Sequence, residues 1–124
     1  MSSTRVTVHG VFSDQSDFSG TKHDYRDEYE VTTNTQRMDF EGVAANPEGV
    51  TIDLSTFTTV DNLYVKNQDN SIAVTVTGQS NSVAFSLYLE AGRSFNIPSV
   101  TPGADITLTS ASGIPLCDVF AWGT

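Results

Sequence analysis

The chain predicts an all-β fold, an antiparallel β-sandwich of jelly-roll type with about eight to ten short strands. Three observations predict it. Apolar residues alternate with polar ones at period two in most segments, as in Ile72, Val74 and Val76 against Ala73, Thr75 and Thr77. Val83, Phe85, Leu87 and Leu89 repeat the pattern against Ala84, Ser86, Tyr88 and Glu90. Turn-forming clusters such as Asn67-Gln68-Asp69-Asn70 and Gly78-Gln79-Ser80-Asn81 separate the runs, and no stretch has a convincing helical period.

Taken in order, Arg5 to Phe12 is the first strand, with Val6 and Val8 on one face until Gly10 breaks the alternation. The polar run around Ser13–Thr21 lacks periodicity, so residues 13–24 read as a loop or arm within a single domain spanning 1–124. His23 to Glu30 sets Tyr25 and Tyr29 four apart, which suits either a helix or a strand; Val31-Thr32-Thr33 after it favours the strand. Asn34-Thr35 is a plausible hairpin connection to Gln36–Val43, where Met38 and Phe40 alternate with Arg37, Asp39 and Glu41.

Ala44 to Gly49 holds Pro47 and is a loop, followed by a strand with Val50, Ile52 and Leu54. Thr56 to Thr59 is a further extended candidate, and Val60–Lys66 opens a stretch running to Ile97 that reads as a β-meander. Pro98 to Gly103 breaks it. Ile106–Thr109 is a short strand, Ser110–Pro115 a turn, and Leu116–Trp122 the last strand. In that strand Cys117, Val119 and Ala121 oppose Asp118, Phe120 and Trp122. Both faces are partly apolar, so it is expected in the middle of a sheet or covered on both sides.

Composition narrows the function classes. Fifteen acidic residues against six basic ones give a net charge of −9, and the basic residues are scattered, which disfavours nucleic acid. The stretch MSSTRVTVHG has no apolar signal-like run, and nothing approaches the roughly 20 residues of a membrane helix. The expectation is a soluble chain made in the cytoplasm. The single Cys117 has no disulfide partner in the chain and sits in a strand pattern, as a buried thiol does.

No catalytic residues are assigned, because His9 and His23 stand apart from any patterned nucleophile and no G-x-S-x-G elbow occurs. No metal or cofactor is expected. Asp14, Asp17, Asp24, Asp27 and Glu28 are oxygen donors of the kind Ca²⁺ takes, yet the spacing of a calcium loop is missing. Candidate interface residues are the aromatic and basic side chains off the predicted core faces: Phe18, Tyr25, Tyr29, Tyr64, Tyr88, Arg93 and Trp122. They suit contact with another protein subunit or, as a second possibility, a carbohydrate.

The runs L-Y-V-K-N-x-D-N-S-I-A-V-T-V (Leu63–Val76), L-Y-L-E-A-G-R-S-F-N-I (Leu87–Ile97), I-T-L-T-S (Ile106–Ser110) and V-F-A-W (Val119–Trp122) form one arrangement over about half of the chain. It resembles small β-sandwich accessory proteins of tailed bacteriophages, of the capsid decoration (cement) or head-fibre kind. The resemblance implies a non-enzymatic virion protein, homotrimeric, bound to the major capsid protein on the outside of the shell. A tail, fibre or minor coat position is its alternative, and it implies no catalytic residue.

Overall fold

The structure is a computed structural model that describes residues 3–13, 22–32, 36–102 and 105–124. It divides into two compact units, Met1–Thr35 and Gln36–Thr124. The first is an antiparallel ribbon of β1 (Ser3–Ser13) and β2 (Lys22–Thr32), in register from Ser3 opposite Thr32 to Ser13 opposite Lys22. The segment HDYRDEYE is therefore strand. Gly10 does not end β1, because it lies within the ladder opposite Tyr25. Of the arm expected over 13–24, Ser13 closes β1 and residues 22–24 open β2, while 14–21 lie outside the described residues. Asn34 and Thr35, the expected hairpin connection, also lie outside them.

The second unit is the sandwich, whereas the sequence expectation ran it over 1–124. Its strands are β3 (Gln36–Ala44), β4 (Val50–Ile52), β5 (Val60–Asn67), β6 (Val74–Ser80), β7 (Val83–Leu89), β8 (Ser94–Ile97), β9 (Ile106–Ser110) and β10 (Leu116–Gly123). They form two four-stranded antiparallel sheets, ordered β3-β10-β5-β8 and β4-β9-β6-β7. Among the described residues there is no helix. This strand order is that of a jelly roll: the outermost strands of the unit pair with each other, as do the next ones inward, and the halves fold over as two layers.

The expected meander over Leu63–Ile97 is corrected by this order. β5 and β8 pair in one sheet, while β6 and β7 form a hairpin in the other. Alternation marks which face of a strand is buried, but both sheets of a sandwich bury a face, so it does not say which sheet a strand joins. The hairpin turn is Asn81-Ser82, with φ of 49° and 64°, the left-handed pair that a type I′ turn needs. Gly78, Gln79 and Ser80, expected in that turn, are the end of β6. At Gly78 a side chain would run into Ile106 and Phe85, so the bare backbone there makes room for the core.

Thr56–Thr59, expected to be extended, is a loop whose Phe57 reaches back into the core. Its far end is tied to the C-terminus: Thr58 and Thr59 donate to the carbonyl of Thr124, at 2.6 and 3.1 Å, and Thr124 donates back to Thr59 at 3.0 Å. Beside this clasp β10 is irregular between Trp122 and Gly123, and a side chain at Gly123 would collide with the backbone of Thr59.

The core lies between the sheets. Leu63 and Val65 of β5 and Cys117, Val119 and Ala121 of β10 face Val74 and Val76 of β6 and Ile106 and Leu108 of β9, all fully buried. Each of the valine, leucine and isoleucine side chains among them contributes about 1.5–3 kcal/mol by leaving water. β10 is central between β3 and β5, as its two partly apolar faces predict. β7 departs from expectation: Leu89 is buried, but Val83 and Leu87, on the predicted core face, are 68% and 38% exposed. β7 is an edge strand, so side chains on it have a packed neighbour on one flank only.

Asn67, at the end of β5, is fully buried and joins both layers. Its Nδ2 donates to the carbonyls of Ile72 (2.8 Å) and Leu89 (3.2 Å), and its Oδ1 accepts from the N–H of Asp69 (3.0 Å). We predict that Asn67→Ala lowers the unfolding free energy by roughly 2–4 kcal/mol, since the truncation strands buried polar groups. Urea unfolding of the purified variant measures it.

Candidate interaction surfaces

β10 turns Phe120 and Trp122 to the outer face of its sheet, because Val119 and Ala121, which alternate with them, occupy the core. Tyr64 of β5 lies directly opposite Phe120, and Asn62 directly opposite Trp122. The two β10 rings meet edge to face, with centroids 4.9 Å apart and planes at 61°. Three aromatics on adjacent strands thus form one half-buried cluster. Register places Arg37 beside Trp122, Asp39 beside Phe120, and Asn96 on the other flank of Tyr64. Beside these rings on the same face, Asn62 is fully buried, with neither side-chain polar atom hydrogen-bonded.

Lys66 and Asp118 face each other further along the same strands. Asp118 Oδ1 accepts from the N–H of Gly42 at 3.0 Å, and its Oδ2 accepts from Gln68 Nε2 at 2.6 Å. These bonds, the Gly42 one first, together with the Lys66 charge, hold its carboxyl below the usual range. Gly42, at φ 65°, sits where the β3–β10 register shifts, so the carboxylate braces a bulge on the edge strand β3.

The outer face of the second sheet has different chemistry. Thr51, Thr107, Thr77 and Ser86 stand in one row across its four strands, and Thr109, Thr75 and Tyr88 in the next. Tyr88 is 73% exposed. Two shallow, open depressions border this unit. One is lined by Thr59, Asp61, Asn81, Ser82, Thr101 and neighbours, the other by Thr77, Gly78, Phe85 and Asp105 among others.

Within the second unit the candidate residues read from sequence fall in separate places. Tyr64 and Trp122 come together, and Phe120, which sequence reading left out, joins them. The signal for it was its place between Asp118 and Trp122 in the outward alternation. Tyr88 lies on the other sheet. Arg93, in the turn between β7 and β8, pairs with Glu90 at 3.9 Å, an exposed contact worth at most about 1 kcal/mol. The Arg93 carbonyl binds the N–H of Asn67, at the opposite end of β5 from Asn62 and Trp122. Tyr25 and Tyr29 lie on β2 opposite Gly10 and Val6, and Phe18 lies outside the described residues.

Cys117 is a core thiol, pushed up to about 11 by burial, with the Asp118 and Asp69 charges adding to the shift. Among the described residues no three His, Cys, Asp or Glu side chains gather as a metal site. Asp14 and Asp17, two of the candidate oxygen donors, lie outside those residues. No described helix is long and apolar enough to cross a membrane.

Compared with known proteins, the chain matches no family model, no curated protein sequence and no solved structure.

Two measurements check these surfaces. Asp118 releases its proton more readily in the folded chain than in the unfolded one, where the ordinary value is about 3.9. Its contribution to stability is therefore complete above that value and is lost as pH falls through the folded one. The urea midpoint of the unmodified chain should fall more steeply than that of Asp118→Asn on acidification from about pH 5 to pH 2. A thiol reagent at about pH 8 should leave Cys117 unmodified in the native chain and label it fully in denaturant, because a buried thiol with a raised pKa offers little thiolate.

Proposed function

We propose that this chain is a non-enzymatic structural protein of a tailed-phage particle, made in the host cytoplasm and bound to the outer capsid surface as a decoration protein. The observation that carries the reading is the Tyr64–Phe120–Trp122 cluster on the outer face of a jelly-roll sheet. Half-buried aromatics rimmed by Arg37, Asp39, Lys66 and Asp118 have the anatomy of a protein contact, with apolar anchors inside a polar border. The jelly roll is an architecture shared by viral shell proteins and lectins, which supports the reading by analogy of fold. The sequence resemblance to phage accessory proteins points the same way.

A decoration protein works by covering, not by turnover. Each copy needs one modest contact with the major capsid protein, and a threefold assembly multiplies that contact on an ordered lattice. The chain's charge of −9 limits its affinity for packaged nucleic acid. A position in the tail, in a fibre or among minor coat proteins uses the same surface.

One observation favours a second reading, carbohydrate binding: three aromatics lie on adjacent strands of one face, where sugars can stack. The 61° angle between Phe120 and Trp122 counts against it, since tilted rings do not make a continuous flat platform.

The test is co-sedimentation with capsid shells lacking the protein, after size exclusion with mass detection. Decoration predicts an oligomer that pellets with shells, and Trp122→Ala should weaken that binding about tenfold or more, as loss of a central aromatic anchor does. A chain that stays in the supernatant but is retained on a glycan array would establish the second reading instead.

A further inference from the structure

The sandwich has four edge strands, β3, β8, β4 and β7. Exposed edges offer unpaired N–H and C=O groups to other chains, and proteins blunt them by shortness, charge or bulges. β4 has three residues and β8 four. β3 carries Arg37, Asp39 and Glu41 and is bulged at Gly42. β7 has none of these protections: it is seven residues long, V-A-F-S-L-Y-L, without charge, proline or glycine. Among the described residues no strand pairs with its outer side, and it displays Val83, Leu87 and Tyr88.

We infer that β7 pairs edge to edge with β7 of a second copy of this chain, antiparallel, about a two-fold axis through Ser86. The phase of the backbone sets this register. The two-residue type I′ turn closes on Ser80 and Val83, so Val83, Phe85, Leu87 and Leu89 bond to β6. Ala84, Ser86 and Tyr88 then direct their N–H and C=O groups outward. On the far side of β6 the carbonyl of Gln79 accepts from Thr101, in keeping with this phase. Centring the axis on Ser86 joins outward groups only to outward groups and overlaps the whole strand.

In that register the strand is complementary to itself. Val83 meets Leu89 of the second copy and Leu87 meets Phe85, extending the inner apolar row across the junction. On the outer face exposed Tyr88 lies beside small Ala84, and Ser86 meets Ser86, so the hydroxyl row of Thr51, Thr107, Thr77 and Ser86 continues into the second copy. Although the chain carries −9 overall, β7 is uncharged, so no like charges face each other within the paired strands. The second copy is thus the occupant whose chemistry fits. A two-fold contact cannot close a trimer; where copies also associate about a threefold axis, β7 links one trimer to the next.

Seven residues a side is well below the roughly 20–30 of a standard interface, so the association is weak and concentration-dependent. Screening of the net charge by added salt should strengthen it. The test uses the full chain alone, apart from any shell, so its outcome is independent of the capsid reading. Ser86→Cys should form a disulfide-linked pair under mild oxidation, since facing bonded residues have Cα atoms about 5.5 Å apart, within disulfide reach. Ser112→Cys, exposed in a loop, is the control and should not, and Cys117 is buried in both. At the highest concentration the mass of the unmodified chain should reach twice that of Leu87→Lys. Ser86→Pro, which takes away an outward donor at an edge-strand position where proline is tolerated, should likewise stay at the lower mass while keeping its β circular-dichroism spectrum. Equal masses for the unmodified chain and both variants, with Ser86→Cys cross-linking no faster than Ser112→Cys, would overturn the pairing.

Discussion

The sandwich depends on one buried amide. The chain leaves β5 at Asn67 and enters β6 at Val74, so the connection must carry polar backbone from one sheet to the other across the edge of the core. Unpaired backbone there would cost about as much as several lost hydrogen bonds. Asn67 removes that cost from within. Its amide donates to Ile72 in the connection itself and to Leu89 on the far layer, and accepts from Asp69, while its own N–H binds Arg93 and its carbonyl accepts from Gly92. Asp69 continues the work, its carboxylate accepting from the N–H groups of Ser71 and Ile72 at 2.8 and 2.7 Å. The next N–H, on Gln68, binds the carbonyl of Leu116 at 2.9 Å, which ties the start of β10 to the same node. Three strand ends and two turns thus share one set of bonds, which only an uncharged side chain with both donors and acceptor could supply.

With the layers joined in this way, the two outer faces are free to differ. One sheet shows rows of threonine and serine, residues that favour strand geometry and remain wet. The other carries aromatic rings of β5 and β10 and, further along, the Lys66–Asp118 pair. The same β10 alternation that buries Cys117, Val119 and Ala121 produces this aromatic face, so core and surface are two readings of a single strand. Aromatic side chains are therefore gathered on the central strands of one sheet, while the other sheet ends in an uncharged edge strand whose outer backbone groups face no neighbouring strand among the described residues.

Much of the fold was legible in the order of residues. The all-β class and the sandwich of antiparallel sheets follow from alternation and turn chemistry, as does one of the two places expected for the last strand, whereas the confinement of the eight sandwich strands to the second unit was not legible. Tyr88 was legible as an outward residue for the same reason. The candidate cluster was half legible: Tyr64 and Trp122 read correctly as outward, but their proximity to each other and to Phe120 depends on β5 lying next to β10, strands far apart in the chain. Arg93 and Tyr88 had the right chemistry for the same surface and lie elsewhere, because side-chain type carries no information about distance.

What the sequence by itself determined is local: where strands run, which of their faces are apolar, and where the chain turns. These follow from backbone sterics and from the period of the side chains, both short-range properties. Only the tertiary structure decided that a stretch resembling a meander is split between two sheets, that Asn67 is a buried junction instead of a surface turn, and that Val83 and Leu87 lie at an exposed edge. Those outcomes depend on which strands pair across the whole chain. Pairing is set by the joint burial of all the apolar faces and the satisfaction of every buried polar group, and no single segment encodes it.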